Sequence, residues 1–237
     1  MITRRLRPYR QQIWPSIPAC YLFIIDQSSE MMNRVGGNGL PMAEQLAHSM
    51  NFWLNALITK TTTGAGVVDF MEVAVISYHS DDHGMPVVRT ALGAGLAQIS
   101  TDRFLGISQI AKHPLRVTRK TMQIYDPETS ESLVVPVEST EWVDPKSSGL
   151  RPTRNAFMLA HAMLSEWTGG HRDSFPTIVI HITGGPSDDG DPSDWAAAVN
   201  RLGTDHGQVL LCHQLLSADP RQEQVLFPHE ENQLCSS

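Results

Sequence analysis

The chain has 237 residues, of which 41% are hydrophobic and 18% charged, and its formal net charge is −7. This apolar content is enough to bury one core, which favours a single globular domain. The negative charge argues against a nucleic-acid-binding protein, and no stretch reaches the ~18 consecutive apolar residues of a membrane-spanning helix.

The first residues are basic, but no apolar segment follows them before a cleavage site, so we expect no secretory signal. Three cysteines are too few for a disulfide scaffold. Both observations favour a cytoplasmic protein with reduced thiols. Residues 1–16 carry four arginines and are expected to form a flexible basic arm.

The ordered pattern begins with a strand, a helix and a second strand. The apolar run Cys20–Ile25 is rich in β-branched and aromatic residues and predicts a buried strand. Apolar residues at steps of three and four predict a helix over 41–60, and the run 71–78 predicts the next strand. A β–α–β start is typical of a mainly parallel sheet with right-handed connections.

The middle of the chain is irregular in pattern. Residues 87–90 predict a short strand. Residues 115–125 and 133–137 flank the turn signature Asp126-Pro-Glu-Thr129, which predicts a β-hairpin within an insertion at about 100–148.

The alternation of strands and helices then resumes. We predict a helix over 152–168, a strand over 177–182, a helix from 194 and a strand over 209–215. The fold class is therefore α/β: a doubly wound, mainly parallel, Rossmann-like sheet over residues 17–217 with a β-hairpin insertion. The polar tail 218–237 is expected to be poorly ordered.

In such sheets, ligands bind beyond the carboxyl ends of the strands. Asp26 ends the first strand, and Ser28 follows two residues later in the same loop. A carboxylate and a hydroxyl at this spacing can present both oxygens to one side, and these are the donors that Mg²⁺ prefers.

The run YLFIIDQSSEM resembles the opening of a von Willebrand factor A domain, whose metal-ion-dependent adhesion site begins with D-x-S-x-S. Three further features are similar to intracellular bacterial members of that family. The first is a helix that follows a Gly-rich loop and ends near Lys60. The second is the segment from Trp142 to Gly149, which leads into a Pro-containing helix start, and the third is the strand and turn over 178–186. The resemblance covers residues 17–217. It implies a non-catalytic protein-interaction module, in which a partner carboxylate completes the shell of a bound metal.

The sequence departs from that family at the metal-site positions. Glu30 stands where the family has a second Ser, and Arg151 stands before Pro152 where the family has Thr. Thr183 is followed by Gly184 where the family has an Asp. We therefore expect a degenerate metal site and no cofactor, with bound Mg²⁺ or Mn²⁺ as the alternative.

Arg151 is an unusual residue before a helix start, where a short oxygen-bearing side chain normally caps the free amides. We expect its guanidinium to pair with Asp26 and Glu30 in place of the metal and to attract an acidic group of a partner protein. The alternative is that Thr153 joins Asp26 and Ser28 as a metal ligand. The predicted partner-binding residues are thus Asp26, Ser28, Glu30, Arg151 and Thr153.

No nucleophile elbow, phosphate-binding loop or dinucleotide fingerprint occurs in the sequence, so we do not expect an enzyme. The alternative from another class is a metal-assisted hydrolase or nucleotide-binding protein that uses Asp26, Ser28 and Asp188.

Three other polar features have simpler interpretations. The segment His79–His83 is expected to be a polar loop, rather than a zinc site. The segment Ser187–Asp191 is expected to be a turn leading into a helix, rather than a calcium loop. His181, within an apolar strand, is expected to be a core residue with satisfied hydrogen bonds.

Overall fold

The computed structural model describes residues 8–90, 92, 104–126 and 131–222. Its helices are α1 Met42–Thr61, α2 Ile107–Lys112, α3 Thr153–Gly170 and α4 Ser193–Arg201, with 3₁₀ turns at Ser29–Met32 and Val35–Gly37. Its strands are β1 Ala19–Asp26, β2 Thr62–Thr63, β3 Gly66–Val67, β4 Met71–Ser80, β5 Pro86–Thr90, β6 Leu105–Gly106, β7 Arg116–Asp126, β8 Glu131–Glu141, β9 Ile178–Thr183, β10 Gly203–Thr204, β11 Gly207–Gln208 and β12 Leu210–Leu215.

The central sheet has the strand order β12-β9-β1-β4-β5, and β6 pairs with β4. β1 runs parallel to both β4 and β9, and β9 runs parallel to β12. β5 and β6 are antiparallel to β4. The predicted α/β class with a mostly parallel sheet is confirmed, and the arrangement is compatible with a Rossmann-like fold.

Each face of the sheet is covered by helices, which explains the unbroken apolar run of β1. On one face, Phe23 and Ile25 of β1 belong to a buried cluster with the α1 residue Leu54. On the other face, Leu22 and Ile24 belong to a second cluster that includes residues of α3 and α4. Because successive side chains of a strand point to opposite faces, a strand buried on both sides needs apolar residues at every position.

The segment between β5 and α3 differs in detail from the expectation. The sequence reasoning missed the short helix α2 in this segment and, elsewhere in the chain, the two-residue ladders β2–β3 and β10–β11. β7 and β8 pair antiparallel along their whole length, from Arg116 opposite Glu141 to Asp126 opposite Glu131. The predicted turn between them, residues 127–130, lies outside the described residues, and its status as an insertion stays a prediction.

Both described ends of the chain contact the body of the domain. In the predicted arm, the Tyr9 N–H donates to the His206 carbonyl, and the Gln11 side chain donates to the Asp173 carbonyl. At the other end, the Gly36 N–H donates to the Ser217 carbonyl. Residues 1–7 and 223–237 lie outside the described part. Among the helices that are described, none is long and apolar enough to cross a membrane.

Candidate functional site

Three loops meet at the carboxyl edge of the parallel strands. The Ser29 N–H donates to the Gly149 carbonyl at 2.9 Å, and the Ser148 N–H donates to the Gln27 carbonyl at 2.8 Å. The loop after β1 therefore lies against the loop that leads into α3. The Gly184 N–H, at the end of β9, donates to the Asp26 carboxylate and brings the third loop to the same place.

Asp26 joins the first and third of these loops. Its side chain is fully buried, and its Oδ1 accepts the Ser28 N–H at 2.7 Å. Its Oδ2 accepts the Thr183 hydroxyl at 3.1 Å and the Gly184 N–H at 3.0 Å. Both carboxylate oxygens are thus engaged by protein donors, which fixes the conformation of the site.

Arg151, in the loop that leads into α3, is buried at the same edge, with only 8% of its side chain exposed. Its Nε lies 3.8 Å from Asp188 Oδ2, and Gly185 packs so closely that an added Cβ would lie 3.1 Å from the guanidinium carbon. The predicted ion pair of Arg151 with Asp26 and Glu30 is wrong, because in the described residues Arg151 forms an ion pair with Asp188 alone.

The physical reason for this correction lies in the loop after β9. Asp188 Oδ2 accepts the backbone N–H of Arg151 at 2.8 Å, and the Asp188 N–H donates to the Arg151 carbonyl at 2.9 Å. These two hydrogen bonds hold the Asp188 carboxylate next to the Arg151 guanidinium. Glu30 is exposed, and its carboxylate accepts a hydrogen bond from the Asn33 side chain instead.

Three buried polar groups at this edge lack a hydrogen-bond partner within the described structure. They are Ser28 Oγ, Thr153 Oγ1 and Arg151 Nε, on residues that are 1%, 3% and 7% exposed. Buried polar groups are nearly always paired in folded proteins, because an unpaired one loses its hydration without compensation. Such groups at the ligand edge of an α/β sheet mark a candidate binding site.

The start of α3 is capped by a residue that the sequence reasoning missed. The position before the helix is Pro152, which offers no capping side chain. The Asp189 carboxylate accepts the Arg154 N–H and the Asn155 N–H instead, each at 2.9 Å. The signal in the sequence was the pair of acidic residues at 188–189. These residues can be identified as a cap only when the fold is known, because the fold brings the loop after β9 to the start of α3.

A tyrosine and a histidine lie buried next to the same edge. Tyr78 Oη is 2.8 Å from His181 Nε2. Burial, and then the Asp26 carboxylate, raise the pKa of Tyr78, whereas Thr183, Thr153 and Arg151 act in the opposite direction. Burial, and then His213, lower the pKa of His181 to about 3. The prediction that His181 is a satisfied core residue is confirmed, because both of its ring nitrogens have partners.

An open cavity of about 210 Å³ adjoins the site. Gly185, which belongs to the wall of this cavity, packs against the Arg151 side chain. Its lining combines polar and apolar groups and comprises Glu30, Asn33, Met42, Gly184, Gly185, Pro186 and residues 215–218.

The residues at this edge do not fit a divalent metal ion. Within the described residues Asp26 supplies the one fully buried carboxylate, and both of its oxygens already accept hydrogen bonds. The neighbouring Arg151 guanidinium is a permanent cation that repels a second one. Within the ranges that the structure describes, no group of three His, Cys, Asp or Glu side chains is arranged to hold a metal.

Two other polar segments have structural roles. In His79–His83, Asp81 Oδ1 accepts the backbone N–H groups of His83 and Met85 and closes a tight turn. In Ser187–Asp191, Asp191 Oδ1 accepts the Ser193 N–H at the start of α4. The prediction of a turn leading into a helix is thereby confirmed. The polar-loop prediction holds for residues 81–83, but His79 and Ser80 are the last residues of β4.

No protein-family model and no curated protein matches the chain. The resemblance to von Willebrand factor A domains therefore rests on the order and spacing of its own motifs.

Proposed function

We propose that this protein is a non-catalytic, cytoplasmic protein-interaction module of the von Willebrand factor A type, with a hairpin insertion at about 100–148. Its ligand face is the carboxyl edge formed by the loops after β1, before α3 and after β9. In place of a metal ion, the guanidinium of Arg151 supplies the positive charge of the site. The partner is another protein that offers an acidic side chain.

The observation that supports this proposal most strongly is the set of unpartnered buried donors. Ser28 Oγ, Thr153 Oγ1 and Arg151 Nε each carry a hydrogen that no neighbour in the described ranges accepts. A carboxylate offers about four lone-pair positions and accepts several donors at once. A guanidinium pairs with a carboxylate more strongly than two neutral groups pair with each other.

The remaining site residues have supporting roles in this proposal. Asp26 holds the loops after β1 and β9 together through its three hydrogen bonds. Glu30 lines the adjoining cavity and is exposed to a partner. The described cysteines, Cys20 and Cys212, are free thiols, which supports a reducing compartment.

The geometry gives less support to a metal-assisted hydrolase that uses Asp26, Ser28 and Asp188. Both oxygens of Asp26 are engaged, and Asp188 Oδ2 accepts the Arg151 backbone N–H. Both carboxylates thus already serve the fold, and the Arg151 guanidinium next to Asp188 disfavours a second cation there.

A peptide-display selection tests the proposal. Wild-type protein is expected to enrich peptides with an Asp or Glu at one fixed position, and Arg151→Met is expected to lose that enrichment. Arg154→Met is the matched control, because Arg154 lies three residues further along and is exposed. Selection of the same acidic peptides by Arg151→Met, or enrichment without any acidic position, would contradict the proposal.

A further inference from the structure

A chain of hydrogen bonds crosses the sheet from its exposed edge to the candidate site. His213 lies on the edge strand β12, opposite His181 of β9, and the two Nδ1 atoms are 2.9 Å apart. His181 Nε2 is 2.8 Å from the hydroxyl of Tyr78 on β4. Tyr78 lies opposite Asp26 in the register of the sheet, and its carbonyl accepts the Gln27 N–H at 3.0 Å. The chain therefore joins an exposed imidazole to a buried tyrosine at the edge that carries the candidate site.

The direction of these hydrogen bonds is set by the tautomer of His181. A neutral imidazole has one N–H and one bare nitrogen, so His181 donates at one end and accepts at the other. In the first state, the Tyr78 O–H donates to Nε2, and Nδ1–H donates to the bare Nδ1 of His213. In the second state, His213 Nδ1–H donates to His181, and His181 Nε2–H donates to the Tyr78 oxygen.

Protonated His213 is compatible with the second state alone. An imidazolium carries hydrogens on both nitrogens, so its Nδ1 cannot accept from His181. The Tyr78 O–H is then free to turn away from His181.

We propose that His213, His181 and Tyr78 form a pH-sensitive relay. Protonation of His213 at the edge of the sheet switches the tautomer of His181 and releases the Tyr78 hydroxyl from its role as donor to His181. The proposal concerns the relay itself and holds whatever the site binds.

The proton balance of the switch is simple. Between the two states, His213 gains one proton from solvent, the single ring proton of His181 is on Nε2 instead of Nδ1, and Tyr78 carries one hydroxyl proton in both. One proton is taken up in total, and it resides on His213, while His181 and Tyr78 remain neutral. Burial keeps them neutral, since it lowers the pKa of His181 and raises that of Tyr78.

Few other charges act on His213. The elements packed against β12 are β9, which carries His181, and α4, which carries Asp194 and Arg201. Neither Asp194 nor Arg201 forms an ion pair or hydrogen bond with His213 in the described ranges. Burial lowers the pKa of His213 below 6.5, so the switch operates in mildly acidic solution. At the other end, Asp26 and Arg151 are the charges that act on Tyr78.

Nuclear magnetic resonance of protein labelled with ¹⁵N-histidine tests the relay, with spectra recorded from about pH 8 down to about pH 4. The His181 signals, assigned with His181→Gln, are expected to show Nδ1–H at high pH. They are expected to change to Nε2–H along the titration curve of His213. The variant His213→Gln is expected to lose this exchange, while His161→Gln, on α3 and outside the relay, keeps it.

Two results would overturn the proposal. One is a His181 ring that keeps the same tautomer while His213 titrates. The other is a His181 ring that becomes an imidazolium together with His213. The wild-type titration alone distinguishes these outcomes, so the test does not depend on the folding of any variant.

Discussion

Replacement of Asp26 tests whether this carboxylate organises the site through its own hydrogen bonds. In Asp26→Ala, the N–H groups of Ser28 and Gly184 lose their acceptor inside the protein. The Thr183 hydroxyl keeps a second acceptor, the Gly185 carbonyl at 2.9 Å. A buried unpaired group costs about 1–3 kcal/mol, so two of them are expected to lower the free energy of unfolding by about 4 kcal/mol.

The conservative variant Asp26→Asn is expected to lose about half as much unfolding free energy as Asp26→Ala. Asp26→Asn keeps an oxygen for the Ser28 N–H but turns its amide group toward the Gly184 N–H, which is also a donor. One unpaired group remains, and we expect a loss of about 2 kcal/mol. Urea denaturation with linear extrapolation measures both values. Asp82→Ala, in an exposed turn, is the control and is expected to change the free energy by less than about 0.5 kcal/mol.

The reasoning is refuted if Asp26→Ala loses less than about 1 kcal/mol, because the carboxylate would then not satisfy these donors in solution. It is refuted equally if Asp26→Asn is as unstable as Asp26→Ala. In that case the charge of the side chain, rather than its hydrogen bonds, would stabilise the three loops.

Three further predictions concern the neighbouring residues. Asp189→Ala is expected to lower the free energy of unfolding by about 1 kcal/mol and to speed amide exchange in the first turn of α3, as measured by hydrogen-exchange mass spectrometry. Gly185→Ala is expected to displace the Arg151 guanidinium and to cost about 1–3 kcal/mol in urea denaturation. The control Gly169→Ala, where an added Cβ meets nothing within 4 Å, is expected to be tolerated. Because the pKa of His181 is lowered to about 3, the unfolded chain binds a proton there that the folded chain does not. The free energy of unfolding is therefore expected to fall as the pH drops from about 6.5 toward 3, by up to about 1.4 kcal/mol per pH unit. His181→Gln is expected to flatten this pH dependence. An unchanged pH dependence in this variant would contradict the lowered pKa of His181.

The sequence was most informative where a single element carries its own pattern. The apolar run of β1 and the three- and four-residue spacing of α1 predicted both elements to within a few residues. The short helix α2 has only six residues, too few to show a repeating apolar face. Local periodicity is a property of long elements, which is why these were predicted and α2 was missed.

The candidate site shows the limit of the same reasoning. The sequence placed Asp26 and Arg151 on loops at the same edge, but it gave no means of ranking the carboxylates available to the guanidinium. Asp188 is the partner because its loop is fixed to the Arg151 backbone by two hydrogen bonds. Contacts between loops depend on the conformation of each loop, and single-residue patterns do not encode that conformation.

The Asp189 cap has a consequence for the movement of the ligand face. α3 begins at Thr153 without a capping side chain of its own, and its first free amides depend on a carboxylate 35 residues further along the chain. A partner that pulls residues 187–190 outward would remove both capping hydrogen bonds at once. The first turn of α3 would then lose its order, and with it the position of the Thr153 hydroxyl. A partner that binds residues 187–190 would therefore change the shape of the candidate site around Thr153 without any rearrangement of the sheet.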